Sequence, residues 1–121
     1  MTYFSIDTVC MNAALVNPSK LSEYRNKLDI IKRTADQIIK DFEIYNEVIS
    51  FSGKSESAYE ELSAQIDPIV RNLMSCNTGR FLSMLYRIDV EEEKVNKAIS
   101  QGNSAVSQIT HLILERELLK V

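Results

Sequence analysis

The chain has no tryptophan, one histidine, two cysteines, two prolines and three glycines in 121 residues. Each scarcity excludes something. Glycine and proline this rare rule out collagen-like repeats and low-complexity linkers. Cys10 and Cys76 lie far apart, without a CxxC pair or a second histidine, so the four ligands of a structural zinc site cannot be assembled. One disulfide remains open. Two buried free thiols in a reducing compartment are the expectation. Cations are also in short supply, with 14 Lys+Arg against 17 Asp+Glu, a net charge of −3 and a pI near 5.2. Nucleic-acid binding rests on cations neutralising phosphates, so it is not expected. No apolar run approaches the ~20 residues of a membrane-spanning helix. The opening MTYFSIDTVCMNAALV has no basic start and places Asp7 where a leader would be apolar. Thr8-Val9 before Cys10 is no lipid-attachment signal, and the expected location is cytoplasmic, without a membrane partner.

What is present is 45% hydrophobic and 26% charged residues, the composition of one soluble globular domain. Residues 3–15 are apolar and fit a short helix or extended chain; the spacing of Ile6, Val9, Cys10 and Ala13 favours the helix. Asn17-Pro18 reads as an N-cap followed by proline at the first helical position. Leu21, Tyr24, Leu28, Ile31, Ala35, Ile38, Phe42, Tyr45 and Ile49 then recur at spacings of three and four, predicting one long helix over about 19–50. The seam resembles a coiled coil in period but reads first as the long helix of a bundle. Ile39, Ile44 and Val48 widen it, predicting deeper cover for its second half.

After a turn at 51–55, Ser57 with Glu60 reads as a capping box. Tyr59, Leu62, Ile66, Ile69, Val70 and Leu73 continue the apolar phase to about 76. Pro68 falls inside that run, which predicts a kinked helix over 57–76 with Asp67 as a possible second cap. Phe81, Leu82, Leu85, Tyr86 and Ile88 predict a short helix. Asp89 with Glu92 predicts the cap of another, running to about Ser100. Ser104 opens a last helix with one apolar face of Ala105, Ile109, Leu112, Ile113 and Leu119, and a second of Leu114, Leu118 and Val121. A helix apolar on both sides is covered on both sides. An apolar Val121 at the end suggests that more chain, or a partner, covers that end. The expected fold is all-α: a compact bundle of four to six helices in a single domain, 1–121. It divides into a long-helix hairpin, 19–76, and a short-helix part, 80–121.

The chemistry on offer is thin. Gly53-Lys54-Ser55 echoes a phosphate-binding loop, but the glycine required five residues earlier is Val48, and a long helix rather than a strand precedes it. It reads as a turn. His111 and Glu115 are one helical turn apart, like paired metal ligands, yet a helical-bundle di-metal site needs two histidines. Asp89, Glu91, Glu92 and Glu93 cluster as helix-start acids do. They lack the alternating ligands and central glycine of a calcium loop. No acid, base and nucleophile can be combined from one histidine and scattered carboxylates, so neither an enzyme nor a metal or cofactor is expected.

Tyr86, Arg87 and Asp89, in Leu85-Tyr86-Arg87-Ile88-Asp89-Val90, form a polar–apolar motif between two helices, and Arg87 and Asp89 are placed to bridge the junction. The closing helix contains Glu115-Arg116-Glu117-Leu118. These two segments resemble those of small all-helical bacterial proteins of uncharacterised function. The resemblance implies a structural pairing between helices rather than a site.

The expected function is a non-catalytic helical protein–protein interaction module: self-associating, an adaptor, or a chaperone-like subunit. The alternative is a small DNA-binding regulator that uses the short helices of 81–120, with Ser104, Ser107, Gln108 and Thr110 at the start of a recognition helix. Its basic residues, Arg116 and Lys120, come late for that role. Charge layout adds an expectation about partners. Residues 19–34 carry five cations against two carboxylates, and 35–49 one cation against four, a reversal from +3 to −3. That opposes the helix dipole but matches a second long helix running antiparallel. A homodimer through Leu21, Tyr24, Leu28, Ile31, Ile38, Phe42 and Tyr45 is therefore expected, alongside a possible separate protein partner.

Overall fold

Pro18 is the first residue of helix α1 (Pro18–Glu43), where its missing N–H leaves no helical bond unmade. The computed structural model describes the backbone of residues 18–121, the side chain of Glu23, and all side chains from 26 onward. The helix expected over 3–15, the Asn17 cap, Cys10, and the side chains of Leu21 and Tyr24 lie outside the described residues. Four further helices follow: α2 (Ala58–Cys76), α3 (Thr78–Ile88), α4 (Glu92–Ile99) and α5 (Ala105–Leu119). Short 3-10 turns at Ser55–Ser57 and Gly102–Ser104 lead into α2 and α5. The fold is an all-α bundle, and no strand occurs among the described residues.

Helix α1 stops well short of the expected residue 50. Asn46 takes the left-handed conformation (φ 61°). Its N–H bonds the Glu43 carbonyl at 3.0 Å and the Glu47 N–H bonds the Phe42 carbonyl at 3.1 Å. This is the six-to-one and five-to-two pattern of a Schellman stop, with asparagine in the glycine position. The chain then leaves the helix axis, so Val48 is 88% exposed and Ile44 is exposed as well, against the deeper cover expected for them. Ile49 still reaches the core, from the loop.

That loop is fastened to α2 by side-chain amide and carboxylate groups. Gln65 accepts from the Ser50 N–H at 2.9 Å and donates to the Ser50 carbonyl at 2.8 Å, while Glu61 accepts from the Ser52 N–H and hydroxyl, each at 2.8 Å. The predicted capping box does not form, because Ser57 belongs to the preceding 3-10 turn and makes no side-chain cap bond. Helix α2 continues through Pro68, as the unbroken apolar phase predicts, so Asp67 starts no new helix. Cys76 is exposed, not buried, because it is the last residue of α2.

Asn77 caps α3 by accepting from the Arg80 N–H at 3.1 Å. Asp89 does not cap α4. It ends α3 in the left-handed conformation (φ 72°), with its N–H on the Tyr86 carbonyl at 3.1 Å and the Val90 N–H on the Leu85 carbonyl at 3.0 Å. The same stop therefore occurs twice, once with Asn and once with Asp. Helix α4 begins with Glu92 and Glu93 in its first turn, which complements its dipole without a side-chain cap.

Helix α5 touches all four other helices. It is buried along Ala105, Ile109 and Ile113, and also at Thr110, Leu114 and Glu117. The expectation of cover on two sides holds for this stretch, but Leu119 is exposed and Leu118 only half-buried. Among the described residues, both α1 and α2 pack on α5 more than on each other. Ile38, Phe42, Ile66, Val70, Met84, Ile88, Ile109 and Ile113 form the fully enclosed centre. Each such side chain contributes about 1.5–3 kcal/mol of transfer free energy.

Candidate interaction site

Helix α3 has more apolar residues than one face can bury. Phe81, Met84, Leu85 and Ile88 enter the core, which leaves Leu82 and Tyr86, one turn apart, on the outside. Tyr86 is 88% exposed and Leu82 54%. Together with Leu85, Val90 and Val95 they line a groove of about 250 Å³ between α3 and α4, and Glu92 and Asn96 supply its polar groups. The Schellman stop at Asp89 ends α3 between the two sets of lining residues, and there the Val90 N–H is bonded to the Leu85 carbonyl.

A second groove, of about 280 Å³, shares Val90 and continues over Leu112, Arg116 and Leu119 of α5. Here Asp89 Oδ2 accepts from Arg116 Nη2 at 2.9 Å. This is the partner of Asp89; the bridge expected with Arg87 is not made, and Arg87 forms no ion pair among the described residues. The segments around Tyr86 and Arg116 thus meet in space. Their ion pair is exposed at Asp89 and contributes at most about 1 kcal/mol.

A third groove, of about 450 Å³, runs along α4 and α5 with Tyr59 of α2 at its side. Tyr59 Oη and His111 Nδ1 are 3.1 Å apart, and His111 Nε2 lies 3.8 Å from Glu115 Oε2, beyond hydrogen-bond range. His111 and Glu115 are thus neighbours, but no group of three His, Cys, Asp or Glu side chains able to hold a metal occurs among the described residues.

The arrangement that sequence reasoning missed lies inside, between α1 and α5. Lys120 Nζ is 3.0 Å from Asp41 Oδ2 and 2.7 Å from Glu117 Oε1. Its aligned hydrogen bond goes to Asp41, which also accepts from Gln37 at 3.1 Å. Neither oxygen of Glu117 receives an aligned donor, and the side chain is 0% exposed. Burial, reinforced by the adjoining Asp41 carboxylate and only partly offset by Lys120, pushes the Glu117 carboxyl up to about 8. Burial also acts to raise Asp41, but hydrogen bonds from Glu117 and Lys120 outweigh it and hold that carboxyl below its ordinary value. Of the two carboxyls, Glu117 is therefore the one whose protonated form the fold favours, and Asp41 the one whose ionised form it favours. A signal for this existed: Glu117 is the fourth member of the four-spaced row Ala105, Ile109, Ile113.

The residues expected to form a dimer seam are mostly committed elsewhere. Ile31, Ile38 and Phe42 are buried in the chain's own core, Tyr45 is half-buried with its hydroxyl 3.1 Å from Ser83 Oγ, and Leu28 is half-buried. The charge reversal is weaker than its sequence count, because Glu47 lies beyond the helix and Asp41 is paired with Lys120. Gly53-Lys54-Ser55 is a turn with Gly53 at φ 93°. No helix among the described residues is long and apolar enough to cross a membrane. No family model, curated protein or solved structure matches the chain.

Proposed function

We propose that the chain is a non-catalytic helical interaction module that holds a protein partner on its α3–α4 face. One observation carries this reading: an almost fully exposed tyrosine and an exposed leucine stand one turn apart at the edge of an apolar groove. Aromatic anchors beside a desolvated pocket dominate the energy of protein interfaces, and helix-in-groove docking uses such a surface. Glu92 in the groove, with Glu91 and Glu93 beside it, favours a partner segment with basic flanks.

Self-association is one form of the same reading. Along α1 it would have to use positions 18–30, since Ile31, Ile38 and Phe42 are already enclosed. DNA binding draws less support. Helix α5, the recognition helix of that alternative, touches every other helix, and its late cations are engaged by Asp89 and by the Asp41–Glu117 pair.

Photo-crosslinking tests the proposal. A photoreactive phenylalanine analogue at position 86 or 82, in the chain's own cells, should give a discrete adduct. The same residue at exposed Glu56 should give none. An adduct at twice the chain mass identifies a second copy, and a different mass identifies another protein. Equal patterns at 86 and 56, or no adduct at 82 and 86, would sink the reading.

A further inference from the structure

The largest of the three grooves has no role in that reading, and its chemistry differs from the rest of the surface. We propose that the groove between α4 and α5, lined by Lys94, Lys97, Tyr59, His111, Ala98 and Leu112, binds a small organic anion with a flat apolar body.

The first ground is charge. The protein is acidic, yet no carboxylate lines this groove, while two lysines one turn apart on α4 do. Neither Lys94 nor Lys97 forms an ion pair among the described residues. The nearest carboxylate of His111, Glu115, is 3.8 Å from it and outside the lining. Lys94 also lines the second groove, with Asp89, Glu91 and Glu115, but on this side two cations without an ion pair meet at one concavity and raise the local concentration of anions.

The second ground is donor geometry. Tyr59 Oη and His111 Nδ1 are 3.1 Å apart, and in the tautomer in which the hydroxyl donates the imidazole proton is on Nε2. In that tautomer Glu115, 3.8 Å away, is too far to accept the Nε2–H, which leaves it as a donor for a ligand. Ser107 and Gln108 add further polar groups to the wall. The third ground is shape. A volume of about 450 Å³ is within the ~300–1,000 Å³ range of small-molecule sites. The tilted Tyr59 and His111 rings, 6.1 Å apart, with Ala98 and Leu112, offer an apolar surface for a flat body beside the anionic head. A phosphate or a carboxylate on an aromatic or similarly flat skeleton satisfies all three features.

Three probes separate the contributions: phenyl phosphate, phenol and inorganic phosphate, each titrated into the full chain and followed by amide and imidazole NMR shifts. Phenyl phosphate should saturate with one-to-one stoichiometry and move Tyr59, Ala98, His111 and Leu112. Phenol and inorganic phosphate should each bind at least about tenfold more weakly, since each supplies half of the contact. The Lys94→Gln/Lys97→Gln variant should lose at least about tenfold in phenyl phosphate affinity, and Lys32→Gln on α1 should lose nothing. Both variants alter exposed lysines, and an unchanged thermal melt confirms that they fold. Three results would each overturn the proposal: phenyl phosphate and inorganic phosphate binding alike, shifts spread over all exposed lysines, or affinity unchanged in the double variant. Tighter, Lys94- and Lys97-dependent binding of a short DNA duplex would overturn it too, by making the groove a backbone-phosphate contact. None of these outcomes bears on the α3–α4 face, which the crosslinking experiment tests separately.

Discussion

Replacing Glu117 with glutamine should abolish most of the fall in stability expected between pH 6 and pH 9. The fold keeps Glu117 protonated up to about pH 8, whereas the unfolded chain releases that proton near 4.5. Between those values the folded state binds a proton that the unfolded state has lost. Stability must therefore fall as pH rises, by about 1.4 kcal/mol per pH unit, and level off above the folded value. From pH 6 to pH 9 the expected loss is about 3 kcal/mol, a large part of the ~5–15 kcal/mol a domain has. The other two members of the cluster act in separate windows. Asp41, lowered in the fold, contributes stability above 3.8 and loses it as pH falls through its lower folded value. Burial acts to lower Lys120, but hydrogen bonds and charge from the two carboxyls raise it on balance. Its contribution is complete below 10.5 and is lost only at higher pH.

Urea melts of the wild type and the Glu117→Gln variant at pH 6, 7, 8 and 9 read this directly, with the midpoint converted through a common slope. Glutamine is close in shape, is neutral at every pH and carries an amide donor beside Asp41. The wild-type midpoint should fall steadily and that of the variant should stay level, so that the variant is the more stable protein at pH 9. Parallel curves, or a wild type that is flat from pH 6 to pH 9, would show that Glu117 is ionised in the fold and refute the reasoning.

Lys120→Met should cost about 3 kcal/mol at pH 7 in the same melts, because the buried Asp41 carboxylate loses its cation. Pro68→Ala should leave stability unchanged or raise it by about 1 kcal/mol, since Pro68 is exposed within a continuous helix and alanine restores a backbone donor; a loss above 1 kcal/mol would show that the ring fixes a needed bend. Asp89→Gly should be neutral or stabilising despite the loss of the Arg116 pair, whereas Asp89→Ala should cost about 1 kcal/mol, because the left-handed backbone outweighs a surface ion pair. If the two substitutions cost the same, the ion pair is the larger effect.

The helical character of the chain was legible because apolar spacings of three and four admit no strand reading over so many turns. The ends of the helices were harder to read. Apolar phase runs on through Ile44, Tyr45, Val48 and Ile49, yet Asn46 stops α1, because one residue in the left-handed region redirects everything after it. Asp89 was misread for a related reason: aspartate serves both helix starts and left-handed stops, and the neighbouring Glu92 favoured the start. The α3–α4 face was half legible. Leu82 and Tyr86 were visible as apolar residues of a short helix, but only packing shows that Phe81, Leu85 and Ile88 use up the one face that is buried. Nothing local marks Asp41 as the partner of Glu117 and Lys120, since the contact spans most of the chain.

Why an acidic residue should occupy the most enclosed helix is a question of specificity rather than stability. Buried ionic groups rarely stabilise a fold relative to apolar residues of similar volume. Here the row Ala105, Ile109, Ile113, Glu117 meets α1 at Asp41, and Thr34 and Thr110 are buried on the same two helices. An apolar contact between α1 and α5 could slide by one turn at little cost, given Leu114 and Leu118 next to the row. A lysine held between the Asp41 and Glu117 carboxyls at one end allows a single register. Substituting all three groups together (Asp41→Leu, Glu117→Met, Lys120→Met) should therefore remove the pH dependence and raise stability at pH 8 by about 1–4 kcal/mol, in contrast to the single Lys120→Met change. The consequence for specificity should appear in NMR spectra, as extra or broadened α5 resonances from more than one register. A triple variant less stable than the single one would mean that the cluster stabilises the fold outright, and one set of sharp α5 signals would mean that register is set elsewhere.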